Sequence, residues 1–498
     1  HARFLDEAGT SYFTEEVFDD YYFGKGSTYP DVNAGIGILF EQAGYRGRVR
    51  ATPHGIKTLA FGIKNQFTVT LSTLEGAIHL KEDLLQFQKK FYKEALQMAE
   101  KDEVKAYIFG SNSDLQLNQM FIELLNQHKI EVYENDKQLT INGQNFRPGK
   151  SFVVPVKQKQ YRLIKSAFEE VTTFADSTFY DVSTWTLPYA FHVPFARLES
   201  VKNLHLSEKP VQAHQADGKI SGGKSSLAYL FKWNEYASPE ALYQIQKAGL
   251  RTSVATREFA FEIDGEEENF GLGTILIPVS GQKWNKEEIH QKISSVAQKT
   301  GIDFYALSTG LSPRGIDAGS NSFVPLEKPN VVMLVGNGVS SRDAGEIWHL
   351  FDQRYHIPVC LTESSDVGSI DLDKYNVLIF PSGSYSELSS GEIEKIKEWT
   401  REGGTLIAVK SAAAWASRQD IGKTTYRKTP EPDTLRTTAY GSRSKEYSLN
   451  AIGGAIFEAL SDITHPLCYG YQRQDLAIFK TGNSVPESLS SRYAHPVM

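Results

Sequence analysis

Glu41 directly follows an apolar run, Gly35-Ile36-Gly37-Ile38-Leu39-Phe40, which is itself preceded by a glycine- and tyrosine-rich loop, Tyr21 to Asp31. Open α/β sheets place their chemistry at the carboxyl ends of buried strands. A carboxylate held there can take a proton and later return it. A surface ion pair with Arg46 or Arg48 explains the same glutamate, and the residues taken alone favour that simpler reading. Three His-x-x-Glu spacings, His79/Glu82, His128/Glu131 and His205/Glu208, match the separation of a zinc-ligand pair. Chance produces such spacings in a chain with 12 histidines, and no His-Glu-x-x-His occurs.

Gly218 to Ser225 spells the phosphate-loop pattern and ends in Gly223-Lys224-Ser225. That chemistry needs a buried strand before the glycines and a helix after them, so that backbone amides face the phosphates. Here linker-like residues precede, and Ser226 to Phe231 reads as strand, so no nucleotide is expected. Gly336-Asn337-Gly338 does lie between a strand pattern and a helix pattern. Ser341, however, replaces the third glycine of the dinucleotide fingerprint, and a tight turn explains the pair as well.

The elements that position these residues follow from apolar spacing. Ala77, Leu80, Leu84, Phe87, Phe91, Ala95 and Met98 recur every three or four residues, which predicts a helix from about Leu74 to Ala99. Gly35 to Phe40 and Phe67 to Leu71 read as strands before it, and Lys101-Asp102-Glu103 marks a boundary. A strand–helix–strand unit follows: Val104 to Phe109, Asp114 as N-cap, Leu115 to Gln127, then Ile130 to Tyr133. Phe152 to Val156 and a helix from Tyr161 to Glu170 extend it. Glu208 to Lys224 reads as a linker. Strands at Ser225 to Phe231 and Glu258 to Ile263 predict a β-rich module closing near Glu327. Val331 to Val335, Val377 to Phe380 and Leu406 to Val409 are short apolar strands. Helix patterns at Arg342 to Arg354 and Ser389 to Arg401 separate them, which predicts a parallel, doubly wound sheet.

Composition bounds the answer. The 498 residues suffice for about three domains, and 40% hydrophobic with 23% charged residues excludes wholesale disorder or a rod. With 53 basic against 60 acidic residues the net charge is −7, so nothing directs the chain to nucleic acid. No apolar run approaches the roughly 18 residues of a membrane span. Two cysteines, Cys360 and Cys468, exclude a disulfide scaffold. The first residue is His1, so the chain is expected to start inside a longer protein, with any signal peptide upstream.

Tyr21 to Gly47, above all Gly35-Ile-Gly-Ile-Leu-Phe-Glu-Gln-Ala-Gly-Tyr-Arg-Gly47, resembles the last catalytic segment of zinc metallocarboxypeptidases of the carboxypeptidase A type. The likeness is to a bacterial branch with extra C-terminal domains, and it extends through Asn65-Gln66-Phe67-Thr68 and Leu71 to Glu75. It implies that Glu41 is the glutamate that activates a zinc-bound water and passes its proton to the leaving amine. It also implies that Tyr22 or Tyr21 closes over a peptide substrate, with Gly24 and Gly26 giving that loop its freedom. The family's zinc ligands and carboxylate-binding arginines precede the tyrosine loop, so no metal ligand is expected within this chain. From Asn330 on, the sequence resembles a class I glutamine-amidotransferase-like, flavodoxin-like domain. Phe380-Pro381-Ser382-Gly383 and Asp462 to Leu467 carry that likeness, but the strand–helix turn reads Lys410-Ser411-Ala412 and lacks the cysteine nucleophile.

The resulting expectation is an α/β chain in four parts. Residues 1–103 are the C-terminal part of a carboxypeptidase-type mixed-sheet domain, and 104–213 are an α/β module. Residues 214–328 form a β-rich module, and 329–498 form the amidotransferase-like domain. The expected function is C-terminal peptide hydrolysis by a secreted or periplasmic zinc enzyme of which this chain is one part, inactive alone. The alternative is a non-catalytic binding or accessory protein.

Overall fold

The computed structural model describes residues 1–14, 21–174, 182–202, 204–214, 217–427, 439–443, 446, 449, 452–487 and 496–497. These residues form a mixed α/β architecture on three main sheets, with two-stranded hairpins beside them.

In the first unit the strands run in the order Tyr133–Glu134, Phe152–Pro155, Ala106–Phe109, Phe195–Leu198, and every neighbouring pair is antiparallel. Successive side chains of a strand face opposite sides. Tyr107 and Phe109 therefore pack with Phe121 and Phe168 of the helices Leu115–Gln127 and Tyr161–Phe168. Ala106 and Ile108 instead meet Phe146 of a small hairpin on the other face. Ile130 and Val132 are core residues, yet only Tyr133–Glu134 enters the ladder, so the expected strand is shorter than its apolar pattern. The Lys101-Asp102-Glu103 break is an anchor as well as a boundary. Asp102 accepts from the backbone of Val104 and from the Tyr161 hydroxyl at 2.8 Å, and pairs with Lys165 at 3.0 Å.

The second unit holds six strands in the order Phe323–Leu326, Thr252–Ala255, Ile275–Pro278, Ala228–Phe231, Phe304–Leu307, Ile220–Ser221. All pairs are antiparallel except the last. Helices Ser238–Lys247 and Lys286–Thr300 cover one face through Ala241, Ile245, Ile289 and Ile293. The hairpin Phe259–Ile263/Glu266–Phe270 covers the other. A strand, not a helix, follows the phosphate-loop pattern, and Gly218 to Ser225 itself contains the edge strand Ile220–Ser221, so it lacks the geometry that cradles phosphate.

The third unit is the parallel sheet that the apolar runs predict, ordered Val359–Glu363, Val331–Val335, Val377–Phe380, Thr405–Ala408. Helices Ser390–Arg401 and Ser411–Arg418 cover one face through Ile396, Trp399 and Trp415. Tyr243 of the second unit joins Ala344 and Ile357 on the other face. Gly404 is required in the turn because a Cβ there would stand 2.4 Å from the Trp399 ring. The hairpin Ala455–Leu460/Asp475–Lys480 does not extend this sheet. It binds the first unit instead, through Ser183 N–H to the Gly454 carbonyl at 2.8 Å and Ile456 N–H to the Thr184 hydroxyl at 2.7 Å.

The N-terminal region departs most from expectation. Phe67 to Leu71 lies inside the helix Leu59–His79, although its β-branched residues favour strand. Thr58 caps that helix by accepting from Phe61 N–H, and the Thr68 and Thr70 hydroxyls bond the carbonyls of Lys64 and Gln66 one turn back. The single helix expected from Leu74 to Ala99 is two, broken at Leu80, and from its stripe only Phe91 and Ala95 are buried, together with Ala99. Gly35 to Phe40 forms no strand, and among the described residues no other strand lies beside it to complete a ladder.

The first two units are joined at one carboxylate. Asp114 caps the helix Leu115–Gln127 by accepting from Leu117 N–H at 3.0 Å, and its other oxygen accepts from Tyr236 N–H at 2.8 Å. Burial pushes this carboxyl above its usual range, although the backbone amides pull the other way. Asp114→Ala should therefore lower stability by about 2 kcal/mol, the loss of a cap together with a buried bond. Asp114→Asn keeps one of the two acceptor oxygens and sets an amide donor against the other backbone N–H, so it should recover one bond but not both and cost less than alanine. Urea unfolding of the three proteins checks this ordering.

Candidate functional site

Glu41 is exposed and stands in the irregular segment after Gly35. The chain on either side of it is tied to the helix Leu59–His79. Gln66 donates to the Phe40 carbonyl at 3.2 Å, and Gln42 donates to the Gly62 carbonyl at 2.8 Å. Neither Arg46 nor Arg48 forms an ion pair with Glu41 among the described residues, so the surface pairing that the residues favour is not seen. Tyr22 faces elsewhere. Its ring is 5.9 Å from Trp185 and 5.6 Å from Phe23, against the core of the first unit. Tyr21 is more exposed and edges Phe174 at 6.4 Å. The fold thus leaves Glu41 beside one helix and anchors both tyrosines against the first unit, without assembling them into one pocket.

Among the described residues the histidines make no metal centre. His79 approaches Glu75, not Glu82, at 3.7 Å, and His128 takes the Tyr29 hydroxyl at 2.6 Å. His1 bonds the Ser72 hydroxyl. Among the described residues no group of three or more His, Cys, Asp or Glu could hold a metal ion. The residues present do not fit a zinc site.

The carboxyl edge of the parallel sheet carries a second constellation. After Thr405–Ala408 the chain turns at Lys410 with φ 52° and ψ −118°, then enters the helix Ser411–Arg418. A non-glycine residue there is strained by about 1–3 kcal/mol and persists only where its surroundings impose it. Those surroundings are visible. The Ser411 hydroxyl bonds the Ser382 hydroxyl at 2.8 Å and accepts from Gly383 N–H at 2.9 Å. The Lys410 ammonium pairs with Asp343 on the helix Ser341–Trp348. Burial raises the Asp343 carboxyl, but the bonds from Lys410 and Ser340 outweigh it and hold the group below the usual range. Gly336, at φ 94°, and Gly338, at φ 75°, form the neighbouring turn, as a tight turn requires.

Neither thiol reaches this turn. Cys360 is on the edge strand Val359–Glu363 and accepts from the Tyr375 hydroxyl at 3.3 Å. Cys468 is buried in a one-turn helix beyond the parallel sheet, and burial pushes its thiol up. His465 accepts from Leu467 N–H at 3.2 Å and so caps that same turn. The edge therefore presents an ammonium and a tied-down hydroxyl, with no nucleophile–base pair. No family model, curated protein or solved structure matches the chain.

Lys410 can be tested by its backbone alone. Lys410→Gly and Lys410→Ala lose the same ion pair, but only glycine adopts the positive φ freely. The alanine variant should be less stable than the glycine variant by about 1 kcal/mol or more. Thermal or urea unfolding of the pair reads the difference.

Proposed function

We propose that this chain is part of a zinc metallocarboxypeptidase of the carboxypeptidase A type, secreted or periplasmic, that removes C-terminal residues from peptides. Glu41 is its general base and acid, and Tyr22 or Tyr21 contacts the substrate. The sequence from Tyr21 to Gly47 carries this reading. Uncovered apolar surface around it gives support. Ile36, Ile38 and Leu39 are half exposed or more, and on the helix Leu59–His79 Ile63, Phe67, Leu71, Leu74 and Ile78 form an exposed stripe. Contiguous apolar surface of this kind marks an interface. It suits a peptidase domain whose sheet, metal ligands and substrate arginines lie outside the described residues.

Within the same reading, residues 329–498 are a flavodoxin-like, class I glutamine-amidotransferase-like domain without glutaminase chemistry. Lys410 at the strained strand–helix turn, where that chemistry needs a thiol, supports this. The same observation favours the second reading, a non-catalytic accessory protein that binds through this domain.

In the complete enzyme, Glu41→Gln should retain zinc and lose about 10²-fold or more in turnover, the scale of one general base. Metal analysis and kcat are measured together, and unchanged kcat removes Glu41 from the mechanism. Residues 1–498 alone, washed with chelator, should hold no stoichiometric zinc and release no C-terminal residue. They should also release no ammonia from glutamine, and ammonia release would show a nucleophile other than a turn cysteine.

A further inference from the structure

A cleft of about 640 Å³ opens between the first and second units. It is held open by direct bonds across the joint. Asn234 donates to the Ser113 carbonyl at 2.9 Å, Tyr236 N–H to Asp114 at 2.8 Å, and Ala237 N–H to the Gln116 side chain at 3.0 Å. Such a preformed volume suits a small molecule. Lys232-Trp233-Asn234-Glu235 enters it directly from the end of the buried strand Ala228–Phe231. Glu235 thus stands, like Glu41 in the sequence, shortly after an apolar strand.

The charges in the cleft are unevenly satisfied. Lys232 pairs with Glu268 and lies 5.6 Å and 5.5 Å from the Phe270 and Tyr305 ring centres. The Glu235 side chain, by contrast, has no hydrogen bond or ion pair among the described residues, although it is half-buried. Among the described residues the Lys150 ammonium donates only to the backbone carbonyl of Asn112, at 3.0 Å. Lys150 and Glu235 are close enough to influence one another, yet they form no ion pair within 4 Å. Covered side-chain oxygens of Asn112 and Asn234, both residues of the cleft wall, also lack partners. A half-buried carboxyl with no side-chain partner, on the wall of a cleft, is open to a donor that a ligand brings.

A bare divalent cation does not fit, since no group of three metal-ligating side chains occurs among the described residues. A neutral sugar would leave both charges unpaired. A molecule carrying an ammonium and a carboxylate would satisfy both, and Trp233, Phe270 and Tyr305 offer apolar wall for its side chain. We propose that this cleft binds a zwitterion of the α-amino-acid or short-peptide class, its ammonium on Glu235 and its carboxylate on Lys150. The proposal stands apart from the peptidase reading, and its test uses no catalytic activity.

Calorimetric titration of residues 1–498 with phenylalanine, leucine and the dipeptide Gly-Phe is the experiment. N-acetyl-phenylalanine amide and maltose serve as uncharged probes. At least one zwitterion should bind with a Kd near or below ~1 mM, and the uncharged probes should bind at least about tenfold more weakly. Glu235→Gln and Lys150→Met should each weaken the zwitterion by about tenfold or more. The pH dependence adds a signature that a structural role would not give. Burial, then Asp114 and Asp303, push the Glu235 carboxyl up to about 8, against the opposing pull of Lys232 and Lys150. The ammonium binds its ionised form, so affinity should rise up to about tenfold per pH unit between pH 6 and 7. For a carboxyl raised on folding, stability falls as pH climbs from its unfolded value to its folded one. Unliganded Glu235→Gln should accordingly melt no lower than the parent chain at pH 8. No binding of any zwitterion up to about 10 mM, or equal binding of the uncharged probes, overturns the proposal.

Discussion

The Asp114 carboxylate is the interaction on which most of the structure depends. One oxygen starts the helix that covers the first sheet, and the other holds the backbone leaving the central strand of the second. Because the group is buried, neither bond is exchanged cheaply for water. The same placement puts a negative charge beside Glu235 and helps to keep that carboxyl protonated near neutrality. One side chain therefore sets a helix start, the seam between two units and the electrostatics of a cleft.

Around that seam the units share covers. Tyr243 of the second unit packs among Val331, Met333 and Ile379 of the parallel sheet. Glu240, on the same helix as Tyr243, takes His356 at 2.9 Å. The C-terminal hairpin crosses back to residues 183 and 184 of the first unit. Residues 35–45 lie at the opposite extreme. Their apolar side chains have sequence fit for a core and, among the described residues, no partner strand to make one. The contrast is physical: a strand exists only when a neighbour takes its backbone donors and acceptors.

The two candidate sites illustrate different uses of stored energy. At the parallel-sheet edge the strain is in the Lys410 backbone, imposed by the Ser411–Ser382–Gly383 bonds and the Asp343 pair. In the cleft it is electrostatic, in a half-buried carboxyl with no side-chain partner among the described residues. Both are sparsely populated conditions that packing imposes and that ligand chemistry can use.

Sequence alone determined the elements whose signals are local. Asp114 before Leu115 and Ser389 before Glu392 are caps, and they start helices because their side chains bond amides within the next turn. Val331–Val335 and Val377–Phe380 are strands because an apolar run that short can be covered on both faces only inside a sheet. Tertiary structure decided the rest. Phe67 to Leu71 became helix as the middle of the longer helix Leu59–His79, where its threonine hydroxyls find the carbonyls one turn back. Glu41 lost its strand because strand pairing is non-local, and no residue near position 41 can announce whether a partner will arrive. Glu235 acquired its character only when Asp114 and Asp303 were brought beside it, from about 120 residues upstream and about 70 downstream. Capping and periodicity are written within a few residues of where they act; sheet pairing and the field at a buried carboxyl are properties of distant segments brought together.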